Sequence, residues 1–114
     1  MQLLKDVGGQ RIDLAHDDAA FFKSILNETC NGIQIANFTK IVGGSEQDAE
    51  KLLDKMRLIL KVSNAPNSVT ATEVVILRNA LREVLRQLGP EEFETRTGFD
   101  FALGQSTLQK LDSI

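Results

Sequence analysis

The sequence contains no tryptophan, no tyrosine, one cysteine and one histidine. A single cysteine cannot close a disulfide within the chain, and one Cys with one His cannot build a zinc site without several carboxylates. Tyrosine and tryptophan commonly anchor interface hot spots and stack on single-stranded bases, so their absence weakens both interpretations. The composition argues against a disulfide scaffold and predicts no metal site and no cofactor.

Long apolar runs are also missing. No stretch approaches the roughly 18 consecutive apolar residues that a membrane-spanning helix needs, and the segment MQLLKDVGGQ lacks the apolar core and cleavage site of a signal peptide. The formal net charge of −3 and the pI near 5.1 disfavour broad binding to phosphate backbones, which requires a basic surface. We therefore expect a cytoplasmic protein without a membrane partner and without a preference for nucleic acid.

The remaining composition is that of one globular domain, with 42% hydrophobic and 25% charged residues in 114 positions. When the chain is aligned with itself at an offset of 55, residues 1–59 pair with residues 56–114, and ten of these 59 pairs are identical. About three or four would arise by chance. Two pairs, Phe38 with Phe93 and Gly43 with Gly98, lie outside the periodic helical segments. Two amphipathic helices can align at some offset without any duplication, and that alternative stays open.

The fold class that follows is mostly α, in a single domain over residues 1–114. We expect two pseudo-symmetric helix-loop-helix repeats, 1–55 and 56–114, packed as a four-helix domain around one shared core. The Asn-, Pro- and Ser-rich segment SNAPNS predicts a linker near residues 63–69. A glycine pair between MQLLKDV and QRIDLA predicts a short N-terminal β-hairpin in residues 1–14.

Apolar residues recur at helical spacing in four segments. The predicted helices are Asp17–Asn31, Glu46–Lys61, Ala71–Leu88 and Gly104–Ser113. Ser45 with Asp48, and Thr70 with Glu73, have the spacing of helix caps, and Gly89-Pro90 is expected to end the third helix. The connections around Phe38 and Phe93 are predicted to be irregular, each placing one ring in the core.

Few residues are candidates for catalysis. His16 stands beside Asp17 and Asp18, but no nucleophile is near it in the sequence, so a polar helix start is the simpler interpretation. Cys30 lies on the apolar stripe of the first helix and is expected to be an inert thiol. Glu28 and Glu83 are aligned by the 55-residue offset, yet Glu83 is expected to face solvent. We therefore assign no catalytic residue and expect no enzyme.

Arginines provide the best candidate for a binding surface. Arg78, Arg82 and Arg86 recur every four residues along one edge of the third helix, and Arg96 follows them. A guanidinium group can clamp a carboxylate or a phosphate with two parallel hydrogen bonds. The alternative is a solvated helix edge, or pairing with surplus carboxylates of the other half, such as Asp17, Asp18 or Asp54.

The leading hypothesis is a non-catalytic protein-interaction module that binds an acidic or mixed-charge partner through the third helix, with self-association as a homodimer also open. A more specific form is an immunity or antitoxin protein, because an acidic surface speeds capture of a basic toxin. A nucleic-acid-binding helical protein is the alternative from another class, and an enzyme with a site between the two repeats ranks third.

Overall fold

The computed structural model describes residues 2–6 and 9–114, with side chains from Arg11 onward. Within these residues the chain is mostly helical, with a small antiparallel sheet at one side. The strands are β1 (Gln2–Asp6), β2 (Gly9–Asp13) and β3 (Ser68–Val69). The helices are α1 (His16–Asn27), α2 (Phe38–Val42), α3 (Glu46–Lys61), α4 (Ala71–Thr97) and α5 (Phe101–Asp112).

The N-terminal hairpin is confirmed, because β1 pairs with β2 in antiparallel register. Val7 and Gly8, which belong to its connection, lie outside the described residues. The other edge of β2 pairs with β3, with Asp13 directly opposite Ser68. Residues 68 and 69 therefore form a strand where we predicted a linker. Their pairing is tertiary, and a two-residue strand has no periodicity by which a sequence pattern could reveal it.

The first helix starts close to its predicted residue and changes character near its end. The Asp18 carboxylate accepts a hydrogen bond from the Ala15 backbone N–H (2.8 Å), which caps α1. After Asn27 the backbone continues as one π-helical turn, Glu28–Gly32. Such turns insert an extra residue into the helical repeat and rotate the side chains that follow. This rotation leaves Cys30 only half-buried at the end of the apolar stripe.

The predicted caps of the next two long helices are confirmed. The Ser45 hydroxyl accepts from the Asp48 N–H (3.0 Å), and the Asp48 carboxylate accepts from the Ser45 N–H (2.9 Å). The same reciprocal pair forms between Thr70 and Glu73, at 3.2 and 3.0 Å. Because a capping box satisfies backbone donors locally, it can be recognised from the spacing of two residues alone.

As predicted, Gly89-Pro90 ends the first helical segment of α4. Gly89 interrupts it with φ 71° and ψ 177°, and Pro90 then opens a second helical segment that runs to Thr97. Proline suits the first position of a helix, where its missing N–H would have no partner in any case. The predicted irregular connection EEFETRTG is therefore helical. The short helix α2 was also missed, and α5 begins at Phe101, before the predicted Gly104.

The core lies where α1 contacts both α3 and α4, while α5 packs on α4. Phe93 is fully buried there, 5.7 Å from the Phe101 ring centroid and against Gly104. Phe38 is only half-buried at the margin of the core. The prediction of a ring in the core is thus confirmed for Phe93 and wrong in degree for Phe38, which lines a surface pocket instead.

Two polar side chains cross between the helices and close the interior. The Ser24 hydroxyl of α1 donates to the Thr97 carbonyl at the end of α4 (3.2 Å). The Asn79 amide of α4 donates to the Val42 carbonyl at the end of α2 (3.1 Å). Each bond satisfies a carbonyl at a helix end, where no intrahelical donor remains.

Candidate functional site

The first two arginines of the predicted surface connect α4 to α5. Arg82 Nη2 lies 2.6 Å from Asp112 Oδ1, and Arg82 Nη1 donates to Asn79 Oδ1 (3.1 Å). Arg78 Nε lies 3.9 Å from the same Asp112 oxygen. These side chains are 30–48% exposed, so the pairs are screened by solvent and add little to stability. The two hydrogen bonds of Arg82 orient its guanidinium group.

Arg86 is the most exposed of the four arginines and is bound to Glu83 on its own helix. Its Nε and Nη2 donate to the two Glu83 carboxylate oxygens, each at 2.9 Å. The Arg86 side chain is 66% exposed, whereas that of Glu83 is only 12% exposed. The prediction that Glu83 faces solvent is therefore wrong, because the guanidinium group lies over its carboxylate.

Arg96 belongs to a different part of the surface. It lies beyond the Gly89 break, and its Nη2 is 2.5 Å from Oε1 of Glu28 in the π-helical turn. The Glu28 side chain is 10% exposed, and among the described residues Oε1 has no partner other than this arginine. Gly32 closes over the pair, since a Cβ at that position would lie 2.7 Å from Arg96 Nη2. Arg96 therefore acts as an internal tie between α4 and the end of α1.

The arginines are paired with carboxylates that the sequence did not suggest. The partners are Asp112, Glu83 and Glu28, of which Glu28 alone belongs to the other half, and they do not include Asp17, Asp18 or Asp54. The arginines along α4 therefore lie beside carboxylates, of which Asp112 is 45% exposed and Glu83 is 12% exposed.

The candidates for acid-base or nucleophilic chemistry are each held in a structural contact. His16 Nε2 lies 3.4 Å from the Leu60 carbonyl oxygen, at the start of α1. Burial raises the pKa of the Cys30 thiol, and the neighbouring carboxylates of Glu50 and Glu46 raise it further. A protonated thiol is a poor nucleophile.

Sequence reasoning missed two surface depressions. One, of about 250 Å³, has the π-helical turn on one side and is lined by Cys30, Ile33, Phe38 and Glu50 among others. The second, of about 360 Å³, is lined by Lys23 of α1 and by Arg57, Leu60 and Lys61 of α3. Residues from two helices form the second one, so no local motif marks it. The only available signal was the offset of 55, which aligns Lys23 with Arg78.

Searches for other kinds of site add no candidate. Residues 2–6 and 9–114 contain no group of three His, Cys, Asp or Glu side chains that could hold a metal ion. None of the helices in this part of the chain is both long enough and apolar enough to cross a membrane. Comparison with protein-family models, with curated proteins and with solved structures yields no match.

Proposed function

We propose that this protein is a non-catalytic protein-interaction module whose binding surface is the exposed edge of α4, formed by Arg78, Arg82 and Arg86. The supporting observation is the ordered alternation of charge along that edge. Arg82 and Arg86 are 48% and 66% exposed, and each guanidinium is already oriented by a carboxylate of the same chain. Orientation before binding lowers the entropy cost of forming hydrogen bonds to a partner.

The proposed partner carries both acidic and basic side chains. An acidic group can add to the free edge of the Arg86 guanidinium, since Nη1 donates to no described residue. A basic group can approach Asp112, whose side chain is 45% exposed. The immunity-protein and nucleic-acid hypotheses, self-association as a homodimer and a cytoplasmic location all stay predictions.

The test is a quantitative pull-down that compares the wild type with the Arg82→Glu/Arg86→Glu variant. Lys40→Glu/Lys51→Glu is the matched control, because it changes the net charge equally at exposed residues outside this edge. A protein retained by the wild type and the control but lost with the arginine variant supports the proposal. A partner list unchanged by the arginine variant contradicts it. Binding to nucleic acid that falls steeply with salt would favour the other class.

We further propose that the domain is a duplicated unit whose halves are related by a pseudo-twofold axis, so that each half is the other's first partner. The helix starts support this proposal, because α1 and α4 begin 55 residues apart, and so do α3 and α5. Gly43 and Gly98, also 55 apart, both end a helix in the left-handed conformation, with φ of 85° and 79°.

Reciprocal contacts between the halves support the axis. Ser24 donates to the Thr97 carbonyl, and Asn79 donates to the Val42 carbonyl. The two donors are 55 residues apart in the sequence, and so are the two acceptors, so each hydrogen bond is the counterpart of the other. A twofold relation requires this exchange, because each half must give the contact that it receives.

The sheet gives independent support. Asp13 and Ser68 are separated by the same 55 residues, and they stand directly opposite each other in the antiparallel pair of β2 and β3. Two equivalent residues can face each other in this way only where the axis passes between them. The Ser68 hydroxyl donates to Asp13 Oδ1 at 2.7 Å. The two equivalent positions therefore carry different residues, one a donor and the other an acceptor.

A further inference from the structure

The depression between α1 and α3 has a surplus of positive charge. Three cationic side chains, Lys23, Arg57 and Lys61, surround the half-buried Leu60. Arg57 has one carboxylate near it, Asp54 of the same helix at 3.0 Å, whose side chain is 73% exposed. Among the side chains that the structure describes, no carboxylate forms an ion pair with Lys23 or Lys61. Lys23 and Lys61 are therefore available to an outside group, whereas Arg57 shares its charge with the exposed Asp54.

The second half of the chain shows how this arrangement is completed internally. Lys23 is the eighth residue of α1 and Arg78 is the eighth of α4. Arg57 is the twelfth residue of α3 and Asp112 is the twelfth of α5. The second half thus places a basic and an acidic side chain at these two positions, 3.9 Å apart, and Arg82 donates the closer contact to Asp112 at 2.6 Å. The first half places two basic side chains there.

We infer that the depression formed by Lys23, Arg57, Leu60 and Lys61 binds an acidic segment of a partner protein, which supplies the carboxylate that Asp112 supplies in the second half. Leu60 receives an apolar side chain adjacent to that carboxylate. The inference rests on the duplicated arrangement and the interaction role proposed above. It adds a second surface, because the helix α4 contributes no residue to this depression.

A protein segment fits this surface better than a nucleic acid does. The depression offers three cations and an apolar centre, while the chain carries a net charge of −3 and Asp54 stands at the rim. A polyphosphate needs an extended basic surface, whereas one or two carboxylates are satisfied by a few close donors. The chemistry therefore matches a short sequence in which Asp or Glu alternates with apolar residues.

The test uses NMR chemical shifts of the ¹⁵N-labelled full chain titrated with a short peptide of alternating glutamate and leucine. We expect the largest shifts at the four residues of the depression. A peptide of alternating glutamine and leucine is the matched control and should bind about tenfold more weakly, because it lacks the charge-assisted hydrogen bonds. Absence of shifts at these residues, or equal binding of the two peptides, overturns the inference.

Arg57→Asp tests the comparison of the two halves directly. It places next to Lys23 a carboxylate equivalent to Asp112, which lies next to Arg78. The variant should therefore bind the glutamate peptide about tenfold more weakly, and its circular dichroism spectrum should show that it stays folded. Arg57→Ala, which removes one cation but adds no carboxylate, should lose less affinity. Unchanged affinity in Arg57→Asp contradicts the inference. A short single-stranded oligonucleotide that shifts the same residues more strongly than the peptide does would assign the surface to nucleic acid.

Asp112→Arg separates this inference from the proposed function. Removing the internal carboxylate should create a second peptide site at Arg78 and Arg82. If the wild-type depression binds but Asp112→Arg gains no site, the equivalence of the halves is wrong while the depression remains a site. If the α4 variant Arg82→Glu/Arg86→Glu loses its partner while the depression stays silent, the interaction role stands and this inference fails.

Discussion

Arg96 and Glu28 form an ion pair that joins the end of α4 to the π-helical turn after α1, with Arg96 Nη2 2.5 Å from Glu28 Oε1. The pair is 68 residues apart in sequence, and its carboxylate is almost completely covered. It therefore differs from the pairs of Arg78 and Arg82 with Asp112, where both partners remain open to water.

We predict that Arg96→Ala destabilises the domain by about 1–3 kcal/mol, because it leaves a buried carboxylate without its donor. Arg82→Ala is the matched control and should cost at most about 1 kcal/mol, since its partner Asp112 is half-exposed. Urea denaturation of both variants measures the difference. The loss from Arg96→Ala should also shrink in a Glu28→Gln background, and equal losses in both backgrounds would show that the charge is not the cause.

Phe93→Ala and Phe38→Ala should have unequal effects on stability. Phe93 is fully buried, so its truncation leaves a cavity in the core and is expected to cost about 3–5 kcal/mol. Phe38 is half-buried at the edge of a pocket, so its truncation should cost no more than about half of that. Thermal and urea unfolding measure both values. Similar losses would place Phe38 in the core and contradict the packing described above.

Asparagine substitutions at Gly89 and Gly98 separate two kinds of glycine. A Cβ added at either position would meet no neighbouring atom within 4 Å, so a clash with surrounding residues does not distinguish the two substitutions. Gly89 has φ 71° and ψ 177°, a backbone region that almost only glycine adopts. Gly89→Asn should therefore lower the free energy of unfolding by about 1–3 kcal/mol. Gly98 has φ 79° and ψ 9°, which asparagine tolerates, so Gly98→Asn should cost less. Equal costs in urea denaturation would contradict this assignment.

The pKa of Asp48 provides a test of the α3 cap. Hydrogen bonds from Ser45, first from its backbone N–H and then from its hydroxyl, lower this pKa. Because the folded pKa lies below the usual value of about 3.9, the stabilisation is present above that value and is lost as the pH falls through the folded pKa. Ser45→Ala should raise the pKa of Asp48 part of the way, since the backbone donor remains. A ¹³C NMR titration of the carboxyl group measures it, and an unchanged pKa would be the contrary result.

Cys30 should react slowly with alkylating reagents near neutral pH. Burial and the carboxylates of Glu50 and Glu46 raise the pKa of its thiol, which lowers the fraction of reactive thiolate. We expect alkylation by iodoacetamide several-fold slower, in rough terms, than that of a free cysteine, and faster in Glu50→Gln. Lys51→Gln changes an adjacent charge that does not affect Cys30 and serves as the control. A rate equal to that of free cysteine would contradict the predicted environment.

Local signals accounted for the parts of the fold that the sequence predicted well. The capping pairs of α3 and α4 depend on residues three apart, and the N-terminal hairpin depends on a glycine pair between short apolar runs. Both were readable before any tertiary contact was known. The range Glu46–Lys61 agrees with the structure at both ends for the same reason.

The parts that were missed depend on contacts distant in sequence. Strand β3 exists because β2 offers it a free edge, and the partners of the arginines come from α5 and from the π-helical turn. The stop at Gly89-Pro90 is confirmed, but the helical segment that Pro90 opens after the break was missed, because proline also suits the first position of a helix. The cationic depression required knowledge that α1 packs on α3, which no spacing in the chain states.

The break at Gly89 also limits the length of the folded molecule along its longest axis. An uninterrupted helix of the 27 residues in α4 would extend about 40 Å at 1.5 Å per residue, beyond the longest dimension of the protein, 38 Å. Its distal turns would then project into water and expose the ring of Phe93. By redirecting the chain at one residue, Gly89 brings those turns back to cover the interior that they would otherwise leave open.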